Sequence, residues 1–429
     1  MISSLDPEPP RLVPAEHDPT NVTDREAQLP PTHGASDGPP AATDATTGSE
    51  DFPTTQSDAV ETTPAAARLE NEGPPFPVED PGSTRPVGTV AFGFNLEKIA
   101  GHGEDSDPLL HAGADLAIVA VFDGMGGAGG TVYQTPDGPF TGAYLASRTV
   151  RDVVGRRLRE LLDTGLPLDG PAVADDLRRF VEGALVARLA DLNAPRSALR
   201  SKLIRALPTT MALAVAQRQQ PDGPTWTCDV WWAGDSRIYV VEPESGAAQL
   251  TVDDIRDHGD AMANLHADSV LDNAISADIP FTVHHRQSRL TAPFLLIAAT
   301  DGCFGYLPTP MHFEHLILDS LGSAPGTAAW SATVQAHISG VTGDDAAMAL
   351  YGAGADFDGF RTLFDARRQL LNADWVQPLD EVAAEIDRRR TELNIMEQEN
   401  ASRTSSLWSA YKPGYERYIG TSRPETGAT

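Results

Sequence analysis

Asp123 closes an apolar run, Leu116 to Phe122, and is followed by Gly124, Met125, Gly126 and Gly127. A carboxylate at the mouth of a buried strand, beside a carbonyl that no side chain obstructs, is a ligand pair for a hard cation. The pattern recurs along the chain. PFLLIAATDG ends in Asp301 and Gly302, GDDAAMALYG sets Asp344 and Asp345 just before an apolar run, GEDSD carries Glu104 and Asp105, and Asp235 sits in AGDSR. One such carboxylate is ordinarily a turn or cap residue. Several gathered at one end of packed sheets cannot all stay ionised without a cation, because like charges raise one another's pKa. Oxygen ligands with neither histidine nor cysteine favour Mg2+ or Mn2+ over zinc.

Hydrophobic periodicity supplies elements to carry these groups. Short β-branched runs read as strands at Val87 onward, at Leu116 to Phe122, at Thr209 to Ala216, on either side of Gly234–Arg237 as two strands joined by a tight turn, at PFLLIAAT and at Met348 to Tyr351. Leu145, Val150, Val154, Leu158 and Leu161 recur at three- and four-residue steps, which predicts a helix over Gly142 to Leu162; a second runs over Val173 to Asn193. Ala128 to Pro139 reads as a loop following the glycine motif, and Asp253 to Thr282 as a mobile flap.

The two ends of the chain are different material. Residues 1–86 hold 16 prolines and 16 acidic residues, four arginines and no lysine, a composition that cannot bury enough apolar surface to offset ordering entropy. They read as a disordered acidic tail. Residues 87–355 read as the folded domain and 356–429 as a helical C-terminal extension and tail. In the extension Leu379, Val382, Ile386, Leu393 and Met396 form a stripe at helical spacing, followed by the aromatic segment LWSAYKPGYERYIG, interrupted by Pro413 and Gly414; docking onto the domain is the expectation and partner binding the alternative. A net charge of −29 repels phosphates, which excludes nucleic acid and anionic membrane as partners. The start lacks signal-peptide regions, no run is long enough for a membrane span, and Cys228 and Cys303 fall in apolar runs as reduced structural thiols, so the expected location is the cytoplasm.

Glu104-Asp105, DGMGG at 123–127, GDSR at 234–237, ATDG at 299–302 and GDD at 343–345 occur in the order seen in the metal-dependent protein serine/threonine phosphatases, the type 2C or PPM family, and from about Val87 to Gly354 the chain resembles a bacterial-like member. The resemblance implies an α+β fold, a four-layer α-β-β-α sandwich of two antiparallel sheets flanked by helices. It implies a binuclear Mn2+ or Mg2+ site in which Asp123 bridges both ions, Asp301 and Asp344 complete one, and Glu104 and the Gly124 carbonyl serve the other. Asp105 then acts through bound water, and Asp235 holds a weaker third ion. Two cations roughly 3.5–4 Å apart lower the pKa of a bridging water, which attacks phosphorus in line. The implied substrate is a phosphoprotein, the product of a cognate Ser/Thr kinase, in a signalling role.

Two departures from the family pattern stand out. Ala100 occupies the position of its phosphate-binding arginine, leaving Lys98 as a candidate point charge and His102 as another. Met125 stands where many members have a histidine, as bacterial-looking members do. Loss of the arginine keeps a rival in view, a metal-binding pseudophosphatase used for docking or sensing. A second rival is a serine hydrolase with Ser236 as nucleophile and His258, His284 or His285 as base, although a turn between strands is not the strand-to-helix elbow such enzymes use.

Overall fold

The computed structural model describes residues 88–192, 204–256, 260–266 and 270–419. The acidic tail over 1–86 and His258 lie outside the described residues. In chain order come β1 (Thr89–Leu96), β2 (Leu109–Ala112), β3 (Leu116–Val121) and the single turn α1 (Gly126–Gly129). The hairpin β4 (Val132–Thr135) and β5 (Gly138–Thr141) leads into α2 (Gly142–Asp163) and α3 (Gly170–Asp191). Next are β6 (Met211–Arg218), β7 (Thr225–Ala233), β8 (Arg237–Glu242), β9 (Gly246–Gln249) and the short α4 (Ala261–His266). The domain ends with β10 (His284–Thr291), β11 (Phe294–Ala299), α5 (Asp301–Phe304), α6 (Pro310–Ser323), α7 (Thr327–Val341), β12 (Ala346–Ala353) and α8 (Phe357–Leu371). A π-helical turn, Asn372–Val376, joins α8 to the 39-residue α9 (Gln377–Tyr415).

Two five-stranded antiparallel sheets, ordered β1-β12-β11-β8-β9 and β10-β7-β6-β3-β2, face one another with helices outside. The fold is the four-layer α-β-β-α sandwich. Its cause is visible in single strands. On β3, Ala117, Val119 and Val121 point between the sheets, while Ile118 and Ala120 point under α2 and α3, so both faces of the strand must be apolar. On β12, Ala347, Ala349 and Tyr351 face inward, and Met348 and Leu350 meet the layer that includes α6, α7 and α8. Thr141 starts α2 by accepting a hydrogen bond from the Tyr144 N–H at 3.1 Å, and Asp169 caps α3.

Four expectations change here. The strands flanking Gly234–Arg237 do not form a hairpin: β7 belongs to one sheet and β8 to the other, so the turn is a crossing between sheets, with Gly234 at φ +106°. The segment after the glycine motif is not a loop but α1 and the β4–β5 hairpin, anchored by buried Tyr133 and by Phe140 stacked on Tyr144 at 4.3 Å. The packed core runs past residue 355, because α8 buries Phe360, Phe364 and Leu371 in it. The C-terminal stripe is not docked: no residue of α9 is buried, and Pro413 and Gly414 continue the helix rather than interrupting it. Pattern alone cannot tell which surface, if any, an amphipathic stripe will meet. In the Asp253–Thr282 stretch, Thr209 bridges Ile275 and Ile255 bridges Leu271, so the described parts of this flap are tied to the domain. Among the described residues no helix is long and apolar enough to cross a membrane.

Candidate metal centre

Strand register brings the separated carboxylates to one edge. Within the first sheet Leu96 pairs with Ala346, and Ala299 pairs with both Met348 and Arg237. Within the second, Val121 pairs with Ala212 and Met211 with Ala233. The ends so aligned are those that emit Glu104–Asp105, Asp123, Asp235, Asp301 and Asp344–Asp345. The Asp123 carbonyl is clamped from β6, accepting from Thr210 N–H at 2.8 Å and from the Thr209 hydroxyl at 2.5 Å.

The side chains crowd accordingly. Asp105 is buried, and its carboxyl is pushed up to about 8 first by loss of water and then by the Asp301 charge. Asp123 is held well above the usual carboxylate range by burial and by Asp105, Asp301 and Asp235. Burial, then Asp301, raises Asp235 to about 7, and burial, then Asp344, raises Asp301 to about 6. Two oxygens of this group, Asp105 Oδ2 and Asp235 Oδ1, are buried with no hydrogen-bond partner. A carboxylate oxygen is not left orphaned without cost.

Glu104 is raised as well, chiefly by burial. Its Oε1 accepts from the Thr141 hydroxyl at 2.6 Å, and Oε2 lies directly against Gly126, where an added Cβ would force the carboxylate to shift. Its backbone is fixed from three sides. The Asp345 carboxylate accepts from Glu104 N–H at 2.6 Å and from Lys98 N–H at 2.8 Å, Ser147 Oγ donates to Glu104 O at 2.5 Å, and Arg148 reaches Gly103 O and Glu104 O at 3.2 and 3.3 Å. Asp344 is exposed, with its charge felt at both Asp301 and Glu104. Lys98 and His102 are exposed on the loop that Asp345 ties down. Met125 packs on Ile255, Leu271 and Ala274 of the flap.

Sequence reading missed Thr141 and Arg148, and it missed that Asp345 ties down the Lys98 and Glu104 amides. A threonine opening a helix is legible as a cap, but its reach to Glu104 exists only once the β4–β5 hairpin folds back. Replacing Thr141 with valine removes that bond, and loss of such a supporting contact typically costs roughly 10–100-fold in metal affinity. We expect Thr141→Val to weaken Mn2+ binding by calorimetry by about tenfold or more, and Thr141→Ser to restore it; unchanged affinity in the valine variant would remove Thr141 from the site.

The geometry disposes of the serine-hydrolase reading. Ser236 is 1% exposed with its hydroxyl bonded to Thr210 Oγ1 at 2.7 Å, while His284 and His285 pair with Asp254 and Asp229. Arg237 is equally occupied, in a buried pair with Asp253.

Among the described residues no three His, Cys, Asp or Glu side chains stand ready-made around one point. The donor set nonetheless fits a hard divalent cation: oxygen ligands only, mutually repelling carboxylates, and orphaned oxygens on Asp105 and Asp235. No protein-family model and no curated protein matches the sequence. Solved structures similar to this chain include serine/threonine phosphatases. The Mycobacterium tuberculosis serine/threonine phosphatase PstP/Ppp is 16% identical, with 62% of this chain and 99% of that chain covered and a TM-score of 0.42. The S. agalactiae serine/threonine phosphatase is 14% identical over 62% of this chain and 99% of that chain, with a TM-score of 0.42. A catalytic domain of PstP in complex with two manganese ions is 16% identical over 63% and 99%, with a TM-score of 0.40.

Proposed function

We propose that this chain is a phosphoprotein phosphatase that hydrolyses phosphoserine and phosphothreonine with two divalent cations, Mn2+ or Mg2+. The observation that carries the reading is the crowding of Asp105, Asp123, Asp235 and Asp301 at a shared sheet edge, where burial and neighbouring carboxylates hold each of them above its ordinary pKa. A structural role would pair each with a cation or a donor, as Arg237 pairs with Asp253; Asp105 Oδ2 and Asp235 Oδ1 have no such hydrogen-bond partner.

In this reading Asp123, Asp301, Asp344, Glu104 and the Gly124 carbonyl would hold the two ions. Asp105 would act through water and Asp235 would hold a weaker third ion. When bound, the pair of cations supplies Lewis acidity and an acidified water for in-line attack on phosphorus. Thr141 and Gly126 fix where the Glu104 carboxylate lies. Asp345 fixes the loop that carries Lys98, whose ammonium offers a point charge to the substrate phosphate in place of the forked contact Ala100 cannot make. The substrate is a phosphoprotein made by a partner kinase, in a cytoplasmic signalling role.

The test is phosphate release from a phosphothreonine peptide. Turnover is expected with Mn2+, none with EDTA, and none with Asp301→Asn. The absent arginine at Ala100 favours a second reading, a pseudophosphatase that docks or senses. Tight Mn2+ binding with no turnover on any phosphopeptide would establish that reading and overturn ours.

A further inference from the structure

The long helix α9 carries an apolar stripe that the domain does not cover. At 3.6 residues per turn, Leu379, Val382, Ile386, Leu393 and Met396 fall on one side of its first half, each 42–65% exposed. On the same side of the second half, Leu407, Trp408, Tyr411 and Tyr415 are 43–65% exposed, and the three aromatic rings touch one another. The opposite side is polar, with Glu381, Arg388, Glu399 and Ser402. Helices in proteins owe most of their stability to packing of such a face, yet among the described residues this one buries none of its own; at its base His312 Nε2 lies 3.1 Å from Asp380.

We infer that the occupant of this face is a second copy of α9, packed antiparallel so that the aliphatic half of each helix lies on the aromatic half of the other. Charge pattern decides both the partner and the direction. Parallel pairing in register sets Arg390 against the partner's Arg390 and Glu397 against the partner's Glu397, both within the stripe. Antiparallel pairing centred near Gln398 removes both clashes. It places Arg390 on the partner's Trp408, a cation over an aromatic face, and Glu397 beside the partner's Asn400. On the flank it brings Glu392 to the partner's Arg403, which has no ion pair within its own chain among the described residues. Along the seam Ile386 meets the partner's Tyr411 and Val382 the partner's Tyr415. A 39-residue helix is roughly 58 Å long. A seam of that length buries on the order of 1,500 Å² over both copies, the size of a stable interface.

The full chain is expected to sediment as a dimer. Trp408→Glu with Tyr411→Glu should raise its dissociation constant by at least about a hundredfold, since two aromatic anchors are lost. Leu393→Asp, at the other half of the stripe, should do the same. Mn2+-dependent phosphate release is expected to be unchanged, because α9 contributes no residue to the core or the carboxylate edge. Direction is read by introduced cysteines, the native Cys228 and Cys303 being buried. Mixed Ile386→Cys and Tyr411→Cys chains should cross-link to each other, and neither variant to itself. A chain that stays monomeric as concentration rises overturns the proposal, whether the face is then free or covered by a different protein. Self-cross-linking of Ile386→Cys overturns the antiparallel arrangement.

Discussion

Asp123→Asn is expected to lower Mn2+-dependent phosphate release by on the order of a thousandfold or more while raising the thermal midpoint of the metal-free protein. The first effect follows from the proposed role in holding the ions: an amide donates only one neutral oxygen, and loss of cation charge at the reacting phosphate forfeits several kcal/mol of transition-state stabilisation. The second follows from crowding. Asp123 faces Asp105, Asp301 and Asp235, and its charge is disfavoured by burial before any of them is counted. An uncharged amide of the same shape relieves that repulsion, and its N–H2 offers a donor to the carboxyl of Asp105, whose Oδ2 lacks one. A residue that merely held the fold together would move both measurements the same way. Turnover near that of the parent chain, or a lowered midpoint without metal, would count against the site.

Much of the candidate centre is legible in the sequence. Each acidic residue sits where a strand ends, and strand ends are marked by glycine and by the break in an apolar run, as in FDGMGG and ATDG. Local pattern therefore singles out Asp123, Asp235 and Asp301 as candidates, and it places helices α2 and α3 within a few residues. What escaped was everything that depends on two distant segments meeting. Asp345 looks interchangeable with Asp344 in GDD, but it is Asp345 that holds the Lys98 and Glu104 amides, 247 and 241 residues away, while Asp344 stays exposed. The Gly234–Arg237 turn reads as a hairpin because both its flanks are strands; only the pairing of β7 with β6 and of β8 with β11 separates them. The stripe on α9 was legible as a stripe, yet amphipathicity states that a face wants cover without stating from where.

Metal-free protein should lose stability as pH rises, and metal should remove the loss. Asp105, Asp235 and Asp301 have folded-state values of about 8, about 7 and about 6, all above the ordinary 3.8 of an unfolded aspartate. A carboxyl whose folded pKa is raised binds its proton more tightly in the fold, so folding is favoured while the proton is present. That contribution is complete below about pH 4 and is lost progressively as pH climbs through the three folded values toward 8. Cations act in the opposite sense, since they bind the deprotonated ligands and bind better as protons leave. Other titrating groups change stability equally with and without metal, so the informative quantity is the difference between the two midpoints at each pH. We expect the gap between the Mn2+-saturated and EDTA-treated protein to be small near pH 5 and to widen by at least about 5 °C by pH 8, a few kcal/mol on a domain of this size. In Asp123→Asn the widening should shrink, because one of the charges that builds up is gone. A gap that stays constant across this range would mean that these carboxyl groups neither repel one another nor share a cation, and the proposed centre would fail with it.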